Sequence, residues 1–189
     1  MSNSGGTAPI SLTADKMVLA GTITAGSAPV KITSFTAGNT IDLGSATDAA
    51  ANTLELSNAE LNSITTTGTL TIGSTPTVAN HTGVITISAP VTLTAPSGLA
   101  VLQTSGGNIN VNSTLQKNAT GLNLDTTGAG ATTGGIFDAG GTGMLRVTGG
   151  NNLSLKAGNG IGTTAKPVHT DTSSLTLDNT THGDVYVQT

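Results

Sequence analysis

Gly83-Val84-Ile85-Thr86-Ile87-Ser88-Ala89-Pro90-Val91-Thr92-Leu93 holds one three-residue unit twice: apolar, polar, apolar, at Ile85-Thr86-Ile87 and at Val91-Thr92-Leu93. In an extended chain successive side chains point to opposite faces. Each unit therefore sets two apolar residues on one face and a polar residue on the other, the period-two signature of β structure. Before this stretch the unit occurs at Ile41-Asp42-Leu43, Leu54-Glu55-Leu56 and Leu70-Thr71-Ile72. After it come Ile109-Asn110-Val111, Leu122-Asn123-Leu124, Leu145-Arg146-Val147, Leu153-Ser154-Leu155, Leu175-Thr176-Leu177 and Val185-Tyr186-Val187. Gly, Asn, Ser, Thr and Ala fill most of the space between. The chain reads as a long stack of short strands.

The spacing of these units bears on how they are joined. From Ile41 to Ile85 successive units start 13 to 16 residues apart, Val91 follows 6 after Ile85, Ile109 another 18 later, and Leu122 13 after that. This is a degenerate repeat, without the fixed period of hexapeptide or calcium-binding nonapeptide arrays. Hairpins would show Asn-Gly or Asp-Gly turns between strands, and Asn159-Gly160 is the one such dipeptide. A parallel coil needs bends of varied length instead, where Gly and Asn supply positive φ. Its coils stack about 4.8 Å apart. At roughly 20 to 25 residues per coil the chain would give about eight coils and ~40 Å of rod. The expected fold is all-β, a right-handed parallel β-helix spanning residues 1–189 as one segment, with a β-sandwich as the alternative.

Further strand candidates are Pro9 to Thr13, Met17 to Thr24 and Val30 to Thr33. One segment, Ser57-Asn58-Ala59-Glu60-Leu61-Asn62-Ser63-Ile64, reads as a turn or two of helix. Ser57 and Glu60 have capping-box spacing, and Leu61 and Ile64 share a face, so this helix would cover an edge or corner.

Composition agrees with a narrow layered core. Hydrophobic residues make up 35% of the 189 and aromatics 2%, namely Phe35, Phe137 and Tyr186. A two-layer sandwich of this length normally uses more rings, because one aromatic buries more area than two small residues. Charged residues make up only 8%, and Thr, Val and Ile abound, which argues against disorder. The net charge is −4, and Lys16, Lys31, Lys117, Arg146, Lys156 and Lys166 are isolated from one another. Nucleic-acid binding needs grouped cations to neutralise phosphates, so no nucleic-acid partner is expected. No apolar run is long enough to cross a bilayer, so membrane insertion is not expected either. The absence of cysteine argues against a disulfide-stapled ectodomain and fits large exported bacterial proteins. Met1-Ser2-Asn3-Ser4-Gly5-Gly6 lacks the basic-then-apolar pattern of a secretory signal and reads as the start of an internal segment of something larger.

Several stretches carry a family resemblance. These are Asn39-Thr40-Ile41-Asp42-Leu43-Gly44, the run from Leu54 to Ile64, Gly68-Thr69-Leu70-Thr71-Ile72-Gly73, and Gly83 through Leu93. Gly158-Asn159-Gly160-Ile161-Gly162, Pro167-Val168-His169-Thr170 and Leu175-Thr176-Leu177 continue it. Together they resemble the repeat region of filamentous-haemagglutinin-like bacterial exoproteins, including autotransporter passengers. The resemblance implies a right-handed β-helix, export to the cell surface or medium, and a role in adhesion, matrix fibres, biofilm or contact-dependent toxicity. The Asn-Pro-Asn motifs of that family's secretion domain are missing, which implies a shaft segment whose contacts with host or matrix lie outside this chain.

Candidate chemistry is thin. His169 with Asp171 and His182 with Asp184 are two His-x-Asp pairs whose members would share a strand face and could each offer a metal two ligands. The bland alternative is solvated turn residues, and it is the expected one. His81 has no partner in sequence. β-Helical polysaccharide lyases and hydrolases cluster carboxylates with a base. Here Asp42, Glu55, Asp125, Asp138, Asp171, Asp178 and Asp184 are scattered, although Asp42 and Glu55 would stack on an outer, solvated face. Thr22/Thr24, Thr69/Thr71 and Thr92/Thr94 are Thr-x-Thr pairs of the kind that form ice-binding arrays, but ordinary strand propensity accounts for them. Asn80, Asn112, Asn118, Asn152 and Asn179 begin Asn-x-Ser/Thr triplets, as chance allows in such a composition. Hence no catalytic, cofactor-binding or metal-ligating residue is assigned, and no cofactor. The expected function is a non-catalytic structural shaft of a secreted or cell-surface bacterial adhesin or fibre. A polysaccharide-acting enzyme and an ice- or surface-binding module are the alternatives. No cap is evident at either end, because the N-terminal stretch is short and polar and the chain stops two residues beyond Val187. End-to-end self-association, head to tail, is therefore expected.

Overall fold

The computed structural model describes residues 1–3, 5–73 and 83–189. Among them every strand-to-strand pairing is parallel, mostly between strands of neighbouring coils, and the chain winds into a parallel β-helix. The sandwich alternative is thereby set aside. The three-residue units are the rungs. On a first face Ile10, Val30, Leu70, Ala100, Leu122, Leu153 and Leu175 lie in register, seven rungs deep. On a second face the register runs Leu54, Ile41, Ile85, Ile109, Ile136, Ile161 and Val185. Val91, Leu115, Leu145 and Thr170 stand in line on a third face. All but Leu175 and Val185 of the last rung are buried. Leu54, Leu56, Leu70, Ile85 and Ile87 are fully buried and Ile72 is 1% exposed. Stacking like on like is why short Leu, Ile and Val suffice: each packs on the rung above and below, and one contiguous core results.

Six steps of ~4.8 Å make the rod about 29 Å long, shorter than the composition suggested. The difference lies in the bends. Successive strands on the first face begin at Ile10, Val30, Leu70 and Ala100, so a coil takes anywhere from 20 to 40 residues. The first two faces belong to one sheet, because Asn152–Ile161 and Ser174–Val185 each run around the corner between them, with register shifts at the bend. Gly83, Gly107 and Gly134 line this corner. A Cβ on Gly107 would collide with the carbonyl of Gly83, and one on Gly134 with that of Gly107, so only glycine permits the backbones to stack. Thr104 and Thr126, both buried, fasten the bend by donating their hydroxyls to the carbonyls of Gly107 and Gly134.

The N-terminal end departs from simple winding. After Thr40–Leu43 the chain steps backward, and Thr53–Leu56 pairs on the outer side of that strand. The helix Asn58–Asn62 follows, with Ser57 and Glu60 forming the expected capping box. It lies against the free edge of Val91–Leu93 in place of a strand. Asn58 Oδ1 accepts from Thr92 N (2.9 Å) and Asn62 Oδ1 from Thr94 N (2.8 Å), while Asn62 Nδ2 donates to Thr92 O (2.8 Å).

Met17 to Thr24, expected as one strand, is divided. Only Ile23–Gly26 is strand. Ala14 to Gly21 crosses the mouth of the coil, where Asp15 accepts from Thr36 N (2.7 Å), Lys16 Nζ donates to Asp48 O (2.9 Å) and Leu19 N donates to Glu60 Oε1 (2.9 Å). Met17 and Leu19 turn onto the core and Val18 turns out. Met17 and Leu19 thus cover part of the core at the N-terminal end, which the sequence reading did not foresee. At the other end Ser174–Val185 is largely exposed, with Leu177 and Val185 each 41% exposed.

Candidate functional site

Residues that resembled chemistry in the sequence prove to be engaged in holding coils and loops. Asp42 and Glu55 do lie side by side in the ladder. Glu55, however, is not on a solvated face: it is 4% exposed beneath the loop that makes the backward step. Its carboxylate accepts from the hydroxyls of Ser45 and Thr47 (2.9 Å for Thr47) and from Ala50 N (2.7 Å). Those bonds, led by Ser45, hold its pKa down at about 2. Burial, with a smaller push from Glu55, raises that of Asp42. The Glu55 carboxylate is thus fully occupied by the protein's own donors.

The two His-x-Asp pairs divide in the same way. His169 Nδ1 stands 3.6 Å from Asp138, a buried carboxylate whose hydrogen bonds come from Gly141 N (2.7 Å) and Gly143 N (3.0 Å). Asp171 instead bridges to Arg146 at 2.7 Å, one rung away. Asp184 accepts from the Tyr186 hydroxyl at 3.4 Å. Among the described residues no three such side chains converge as metal ligands would. His81 and Asn80 lie outside the described residues.

The Thr-x-Thr pairs make no array. Thr71 lies between Lys31 and Val101 on the first face, Thr92 opposite Gln116 on the third, and Thr24 opposite Thr65 at a corner. Asn118, Asn152 and Asn179 bond across or along coils: Asn118 Oδ1 accepts from Thr148, Asn152 Oδ1 from Ser174, and Asn179 Oδ1 from Gly160 N.

Two features had no clear signal in the sequence. Lys117 occupies a rung between Leu93 and Val147 and is fully buried. It donates to Pro96 O (2.7 Å) and Asn118 O (2.8 Å), and burial pushes its pKa down. Alternation alone would have marked it as inward, but its charge argued for solvent.

The second feature is a cleft of about 300 Å³ near the C-terminal end, lined by Phe137, Asn159, Gly160, Gly162, Thr163, Thr164, Gly183, Asp184 and Tyr186. Two of the three aromatic residues of the chain meet there. Asp184 is the one charged residue of that lining.

Set against known proteins, the chain matches no family model, no curated protein and no solved structure. The likeness to filamentous-haemagglutinin-like exoproteins thus stands on its repeat-like residues alone.

Proposed function

We propose that this chain is a non-catalytic structural shaft of a secreted or cell-surface bacterial protein, of the filamentous-haemagglutinin-like or autotransporter-passenger kind. The observation that carries the reading is the pair of seven-rung ladders, from Ile10 to Leu175 and from Leu54 to Val185, with Glu55 and Asp138 bonded into the bends between rungs. Interlocked parallel coils make a stiff body with few cleavable loops, which suits a spacer that holds an adhesive or toxic tip away from a cell. Contact with host or matrix is assigned to segments outside this chain. Self-association is assigned to the exposed Ser174–Val185 edge.

Three measurements test this. Limited proteolysis should leave the coil intact. Incubation with neutral and acidic polysaccharides should release no new reducing or unsaturated ends. Antibodies against the chain should label intact bacterial cells or their medium. Sugar-chain cleavage would favour the enzyme alternative, and purely cytosolic labelling would overturn the surface assignment.

A further inference from the structure

The outward column of the second face runs Glu55, Asp42, Thr86, Asn110 and Phe137. It continues one residue past the paired Ile136, Ile161 and Val185, so its next members are Gly162 and Tyr186. The two aromatic residues therefore stand two rungs apart, ~9.6 Å between backbones, with Gly162 on the rung between them. That glycine is fixed by its surroundings. Gly162 has φ +68°, and a Cβ there would strike the carbonyl of Tyr186. The Phe137 ring packs back against Gly135, and the Tyr186 hydroxyl is turned toward Asp184. Both rings are half-buried, so each is positioned while still open to the cleft.

We propose that this slot binds one ring of a neutral saccharide. A ring stacked on an aromatic face needs roughly 4 to 5 Å, so aromatic side chains on rungs ~9.6 Å apart leave room for one ring between them. The C–H groups of a pyranose carry partial positive charge and meet the electron-rich faces of Phe137 and Tyr186. Its hydroxyls require donors and acceptors around the rim, which Asn159, Thr163, Thr164 and Asp184 provide. The cleft volume is at the lower end of the range for small-molecule sites, matching one or two sugar rings. Asp184, unaccompanied by a cation in the lining, disfavours uronates, phosphates and nucleotides. It also lacks the second carboxylate that hydrolysis needs, so the site holds sugar without cutting it. The proposal does not depend on the shaft reading, since a binding cleft can sit on the flank of a coil of any function.

The chain supplies its own reporter. It has one tyrosine and no tryptophan, so its intrinsic emission comes from Tyr186 alone. Titration of the full chain with oligomers of glucose, mannose, galactose and N-acetylglucosamine should give a saturable change in that emission for at least one of them. The Kd should be on the order of 1 mM, as befits an open site with few buried contacts. Phe137→Leu keeps the apolar bulk but removes one face, and should weaken that binding at least tenfold with the circular dichroism spectrum unchanged. Should Phe137→Leu fail to fold, Thr164→Met, which crowds the rim without adding a second tyrosine, should abolish the response in its place. The proposal is overturned by an unchanged emission with all four neutral series at tens of millimolar. Tighter binding of a galacturonate oligomer, or a response that survives both variants, overturns it equally.

Discussion

Glu55 holds a loop by accepting three hydrogen bonds, which its ionised carboxylate accepts more strongly than the protonated acid, and its acidity follows from them. Its pKa in the fold lies at about 2 against an ordinary 4.5. A depressed carboxylate stabilises the fold at pH above its unfolded value, and that contribution disappears as pH falls through the folded one. Chemical denaturation of the wild type should therefore show stability falling between pH 4.5 and 2, and Glu55→Gln should flatten that part of the profile while lowering stability at neutral pH. An unchanged acid limb in the variant would mean that the loop is held by something else. In the rungs, Ile85→Ala should cost roughly 2–5 kcal/mol, because its neighbours Ile41 and Ile109 are fixed in register and cannot collapse into the gap. Thr71→Ala on the outer column should change stability by less than about 0.5 kcal/mol. Equal losses in urea titrations of the two variants would contradict the inward and outward assignment.

At the scale of elements, the rungs were legible and their order was not. Alternation marked Leu54-Glu55-Leu56 as a strand. That it lies outside Ile41-Asp42-Leu43 depends on a loop in which Gly44, Asp48 and Asn52 take positive φ, and nothing in the spacing encodes the direction of that step. The helix was equally legible from Ser57 and Glu60, whereas the roles of Asn58 and Asn62 were not. Asparagine on a short helix reads as a poor helix former; here its amide takes the place of a neighbouring strand's peptide groups. Asn62→Ala would leave Thr92 O, Thr94 N and Ala95 N without that partner. It should cost about 1–3 kcal/mol and raise amide hydrogen exchange at Thr94 and Ala95 before other rungs. Protection unchanged at those two amides would show the edge to be satisfied without the helix. Candidate sites fared in the same manner. His169 and Asp171 share a face as alternation requires, yet their partners, Asp138 and Arg146, come from another coil and are invisible to local spacing. The Phe137 and Tyr186 cleft needed the register of three coils before its two rings could be placed together.

For the whole molecule the two ends differ, and this changes what the chain can assemble into. Head-to-tail growth requires a bare face at both ends, but Met17 and Leu19 fold over part of the core at one of them. Two Ser174–Val185 edges can still meet across a two-fold axis, which closes the contact. Sedimentation of the chain over a concentration series should then show monomer and dimer with no larger species. Continuous growth in sedimentation coefficient would mean that the cover opens.

The rungs keep strict register while the bends between them vary freely in length, and this separates what the coil must conserve from what it can vary. Leu122 pairs with Ala100 on one side and Leu153 on the other, in the same relation. Removing the turn of chain from Leu122 through Asn152 would bring Leu153 onto Ala100 with inward and outward positions preserved. The coil thus behaves as a text that can be shortened or lengthened by whole lines: an insertion or duplication of one complete turn is neutral to the pairing. A slip of a single residue within a rung is not, because it turns every side chain of that strand inside out.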